Sequence, residues 1–132
     1  MSSNKGWIGV DLDGTLANWD GWKGEDHIGD PIPLMVDRVK TWIAEGREVR
    51  IFTARVDGGT VALNAGDPNG VHFQNIERVK AVISSWLVTH IGVDLPITNV
   101  KDYAMIELWD DRAKQVIPNT GISVESLVNF TV

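Results

Sequence analysis

Trp7-Ile8-Gly9-Val10-Asp11-Leu12-Asp13-Gly14-Thr15 is the stretch on which the fold turns. Residues 7–12 (WIGVDL) form an almost unbroken apolar run, which predicts a strand buried on both faces. The chain then turns polar, and Asp13-Gly14 favours a tight turn. A strand covered on both faces belongs in a parallel sheet, where ligands collect beyond the carboxyl ends of the strands. Asp11 and Asp13 would stand at that edge.

The flanking sequence supplies the rest of such a sheet. Residues 17–33 are rich in Gly, Asp and Pro and read as loop. Pro33 suits the first turn of a helix, with Met35, Val36, Val39, Trp42 and Ile43 on one face and Gly46 as its stop. Residues 48–53 (EVRIFT) predict a second strand. A glycine-rich loop follows from Ala54 to near Asn75. Ile76, Val79, Ile83, Trp86 and Leu87 then mark a second amphipathic helix, ending near Gly92. Ile97–Val100, Met105–Trp109 and Gln115–Ile117 are three more short strand candidates, and residues 123–129 suit a short helix. This alternation predicts an α/β fold: one domain over residues 1–132, with a mainly parallel five-stranded sheet flanked by helices.

Composition narrows the chemistry. The 132 residues contain no cysteine, which excludes disulfides, thiolate metal sites and cysteine nucleophiles. His27, His72 and His90 have no zinc-ligand spacing. The net charge of −6 argues against non-specific nucleic-acid binding. It is compatible with a small anionic substrate where a metal and local cations reverse the field. Residues 1–7 (MSSNKGW) lack the apolar stretch of a signal peptide, and no run approaches a membrane span. A cytoplasmic protein without membrane contact is the expectation.

Each expected strand ends in a group useful for phosphate chemistry. The first gives Asp11-Leu12-Asp13-Gly14-Thr15, the second Thr53-Ala54-Arg55, the third is followed by Lys101, and the fourth gives Asp110-Asp111-Arg112. A carboxylate can attack a phosphomonoester and form an acyl phosphate. Carboxylates and phosphate repel, so a divalent cation must sit between them, and Mg²⁺ prefers oxygen ligands. A lysine and a threonine hydroxyl would neutralise and position the phosphoryl oxygens, and a second carboxyl could protonate the leaving group.

DLDGT, TAR, Lys101 and DDR, in this order, resemble the four motifs of phosphatases of the haloacid-dehalogenase-like (HAD) superfamily. The resemblance spans residues 7–117. ITNVKDYAMIELWDDRA looks like the cap-poor branch, which includes 5′(3′)-deoxyribonucleotidases, polynucleotide 3′-phosphatases and small phage or bacterial proteins. It implies a Rossmann-like HAD core without a large cap. It implies Asp11 as nucleophile and metal ligand, and Asp13 as general acid/base with its carbonyl on Mg²⁺. Thr53 with the Ala54 amide would hold phosphate, and Lys101 would neutralise it. Asp111 would be a direct metal ligand and Asp110 would act through water. Arg55 and Arg112 would either contact phosphate or form ion pairs. Trp109, where a smaller aliphatic residue is usual, and Glu107 inside a strand depart from the pattern.

The expected activity is Mg²⁺-dependent hydrolysis of a small phosphorylated metabolite, with a nucleotide as one candidate. A polynucleotide 3′-phosphatase and an inactive scaffold that only binds are the alternatives. Asp13 counts against a dehalogenase, the missing cap against a mutase, and the motif order against a receiver-type signalling domain. Only the loops 17–33 and 56–75, or a neighbouring subunit in an oligomer, could cover the site. Trp19 and Trp22 in the first loop have two readings: stacking a base, or simply packing the loop on the domain, and the second is the simpler.

Overall fold

A computed structural model of the protein describes residues 6–56 and 71–130, with side chains described over 6–56 and 76–127. Four strands form one parallel sheet: β1 (Trp7–Val10), β2 (Glu48–Phe52), β3 (Ile97–Thr98) and β4 (Met105–Trp109), in the order β3-β2-β1-β4. Helix α1 (Pro33–Ala44) links β1 to β2, and α2 (Val71–His90) leads to β3. A short helix, α3 (Val124–Phe130), closes the described chain. Among the described residues there is no separate cap domain, and no helix is long and apolar enough to cross a membrane.

All four residues of β1 are buried, as an inner parallel strand requires. Ile8 and Val10 point to one face with Val49 and Ile51 of β2. Met35, Val36 and Val39 of α1 and Ile76, Val79, Ile83 and Leu87 of α2 join them in one core. Both helices therefore cover the same face. On the other face the Arg50 guanidinium lies 4.6 Å from the centre of the Trp7 ring, and Phe52 packs beside it at 6.4 Å. The chain between β3 and β4 crosses this second face: Asp102 accepts a 2.8 Å hydrogen bond from Trp7 Nε1. Trp7 is thereby fully buried.

Three expectations change. The sheet has four described strands, not five. Residues 115–117 contribute only an isolated bridge between Val116 and Ser123, and Val116 stays half exposed because no strand among the described residues receives it. Strand β3 ends at Thr98 rather than Val100, because the Thr98 hydroxyl accepts the Val100 amide and turns the chain. Helix α2 begins at Val71, a turn earlier than the apolar spacing suggests. Glu107 finds both a partner and water. Trp109 Nε1 donates to it at 3.0 Å, Arg47 lies 3.6 Å away, and its side chain remains 44% exposed. Trp109 itself packs on Trp42, with ring centroids 5.2 Å apart, which accounts for a large residue at that strand end.

Candidate active site

The register of the sheet assembles the site. Val10 pairs with both Ile51 and Trp109, so the residues that follow emerge side by side. Asp11 donates its amide to the Trp109 carbonyl at 2.9 Å, which sets Asp11 next to Asp110. Thr53 donates its amide to Thr98, bringing Asn99 to the same edge. One oxygen from each of Asp11, Asp110 and Asp111 lies within 4.8 Å of the others. Such a group of carboxylates is an all-oxygen donor set of the kind hard divalent cations prefer.

The acids repel one another. The Asp11 carboxyl is pushed up from 3.8 to about 7, chiefly by burial, then by its hydrogen bond with Asp111 and the negative charges of Asp110 and Asp111. Asp110 spends one oxygen on the turn after β4, accepting the amides of Arg112 at 2.7 Å and Ala113 at 3.2 Å. Gly14 lets the strand-end loop come this close. Its φ is +91°, and a Cβ there would meet Asp111 Oδ2 at 2.5 Å. The Thr15 hydroxyl bridges toward Asp11 and Asp111 at 3.5 and 3.4 Å.

Thr53 is 2% exposed, and its hydroxyl oxygen accepts the Arg55 amide at 3.1 Å. That contact uses an acceptor position and leaves the hydroxyl proton to donate. Ala54 opens a single 3₁₀ turn, 54–56, and is exposed beside it. Arg55 grips Asp13 through both carboxylate oxygens, Nε to Oδ2 at 2.7 Å and Nη2 to Oδ1 at 2.9 Å. Nη2 also donates to the His27 carbonyl at 2.9 Å. Of the two uses open to Arg55, the structure therefore has the ion pair, with Asp13.

A cleft of about 670 Å³ runs along these residues. Asp11, Asp13, Thr53, Ala54, Arg55, Asp110, Asp111 and Arg112 line it, with Asn99 at the end of β3. Lys101 does not line it. The early end of β3 puts Lys101 on the crossover to β4, where it is exposed, next to the Asp102 that Trp7 holds. The cleft wall also contains Trp19 and Trp22, which are 39% and 59% exposed. Neither is packed away, contrary to the simpler reading of the loop. Nor is the loop loose: Asn18 and Asp30 bond across its neck, and Trp86 Nε1 donates to the Gly29 carbonyl at 3.0 Å. Of the second expected cover, residues 57–70 lie outside the described residues.

No protein-family model matches the chain, and no curated protein does. A solved structure described as "Structure of the conserved protein coded by locus from Bacteroides thetaiotaomicron" is similar to it. The identity is 19% and the TM-score 0.47, over 98% of this chain and 93% of that one. A likeness this distant carries no functional argument.

Proposed function

We propose that the chain is an Mg²⁺-dependent phosphomonoesterase of the HAD type, working through an aspartyl-phosphate on Asp11. The observation that carries this reading is the meeting of Asp11, Asp110 and Asp111 within 4.8 Å, at the carboxyl edge of a parallel sheet. Three crowded acids, one of them raised to about 7, suit a cation better than they suit one another. Asp11, Asp110, Asp111 and the Asp13 carbonyl would hold Mg²⁺, which supplies charge neutralisation between carboxylate and phosphate.

In this reading an Asp11 oxygen attacks phosphorus, the P–O bond to the leaving group breaks, and the acyl phosphate is then hydrolysed by water. The Thr53 hydroxyl donates to a phosphoryl oxygen. Asp13 protonates the leaving oxygen, which requires Arg55 to release at least one of its oxygens on substrate binding. Arg112, which lines the cleft, is nearer to hand than Lys101 as a countercharge. Lys101 can serve only by moving in from the crossover.

Hydrolysis of p-nitrophenyl phosphate tests the function. Turnover is expected with Mg²⁺ and not with EDTA, and Asp11→Asn abolishes it. Turnover unchanged by EDTA, or retained by Asp11→Asn, contradicts the reading.

A further inference from the structure

The cleft is larger than a phosphate and has an apolar end. Trp19, Trp22, Phe52, Ile76 and Val79 share its wall with the acids and Thr53. Trp22 is the unusual member. It is 59% exposed, the most open of the tryptophans, although a large aromatic ring gains most by burial. It is nevertheless held in place from behind. The Arg55 guanidinium lies 5.1 Å from the centre of the Trp22 ring. That arginine is only 5% exposed and is fixed by Asp13 and the His27 carbonyl. An aromatic ring is thus fixed on one side and left open on the other, inside the cleft that holds the acids.

Arg55 is itself incompletely satisfied. Its Nη1 is buried and, among the described residues, has no hydrogen-bond partner, although Nε and Nη2 are fully used. A buried N–H without an acceptor is costly, and the arginine that carries it lies in the cleft wall.

We propose that Trp22, backed by Arg55, is a stacking platform for a planar aromatic group on the substrate, so that the substrate class is an aromatic phosphomonoester such as a nucleoside monophosphate. This rests on the phosphomonoesterase reading for the phosphate end of the ligand. The aromatic group lies on the open face of Trp22 with Trp19 beside it, while the phosphate lies among Thr53, Asp11 and the cation. Aliphatic phosphomonoesters share the phosphate end and gain nothing from the platform.

The test is calorimetric binding in Mg²⁺ on an Asp11→Asn background, where turnover cannot interfere. The probes are adenosine 5′-monophosphate and glycerol phosphate. Adenosine monophosphate is expected to bind more tightly. Adding Trp22→Ala or Trp22→Leu weakens it by about 5- to 100-fold, the range of a lost base–aromatic stack. Trp22→Phe retains affinity within about threefold, and glycerol phosphate binding changes little. No binding of adenosine monophosphate, equal affinity for both probes, or equal loss for both on Trp22→Ala overturns the platform. Wild-type hydrolysis of p-nitrophenyl phosphate is measured alongside. Its failure with discriminating binding intact removes the phosphatase reading and spares the platform.

Discussion

Replacing Asp11 with Asn is expected to stabilise the metal-free protein at neutral and alkaline pH. The carboxyl titrates at about 7 in the fold against 3.8 in the unfolded chain, with burial as the largest cause. Folding therefore takes up a proton across that window. Stability from this source is complete below the unfolded value and is lost as pH rises toward and through 7. At about 1.36 kcal/mol per pH unit the penalty reaches at most ~4 kcal/mol. The cleft is open to solvent, so screening reduces this to about 1–2 kcal/mol. For a domain of this size that is roughly 3–10 °C in Tm. The assay is thermal unfolding of wild type and Asp11→Asn in EDTA from mildly acidic to mildly alkaline pH. The difference in Tm is expected to be small at acid pH, grow through neutrality and level off above it. Adding Mg²⁺ is expected to raise the wild-type Tm and close the gap, because a ligand held only by the folded state stabilises it. If Asn at this position is neutral or destabilising in alkaline EDTA, the crowding of the acids has been misjudged.

Further expectations follow from single contacts. Gly14→Ala forces a Cβ against Asp111 at a φ of +91°, so it is expected to cost about 1–3 kcal/mol and weaken Mg²⁺ binding; chemical denaturation and a magnesium titration measure both. Arg55→Ala leaves the Asp13 carboxylate, 18% exposed, without its partner, and a loss of about 2–4 kcal/mol is expected from urea unfolding. No loss would mean that the pair does not hold the loop. Thr53→Ala removes the hydroxyl proposed to hold phosphate, and kcat is expected to fall about 10²-fold or more. Lys101→Ala, on an exposed crossover outside the cleft, is expected to cost less than about tenfold. A larger effect of Lys101 in steady-state kinetics would show that the crossover moves in the working enzyme.

Asp11, Thr53 and Asp110 could be placed from sequence because each follows an apolar run closely, and the pairing of Val10 with Ile51 and Trp109 does the rest. Lys101 could not. Its position depends on the Thr98 hydroxyl ending β3 early and on Trp7 capturing Asp102, a contact between residues 95 apart in the chain. The local sequence does not decide between the two uses of Arg55 for the same reason, since its partner Asp13 is 42 residues away. The tryptophans of the first loop depart from their local pattern in the other direction. An aromatic pair in a Gly-rich loop suggests packing, and only the tertiary structure reveals that Trp22 leans on Arg55 and stays open. Residues 115–117 have strand-like composition, but a strand needs a neighbour, and no local pattern states whether one is within reach.

In the proposed reading one cation gathers acids from the first and last strands while the leading aspartate takes the phosphoryl group. A crystal grown with Mg²⁺ and beryllofluoride measures this directly. A beryllium adduct is expected on a carboxylate oxygen of Asp11, with the metal touching Asp11 and at least one of Asp110 and Asp111. An adduct elsewhere, or a metal bound away from these three side chains, would contradict it.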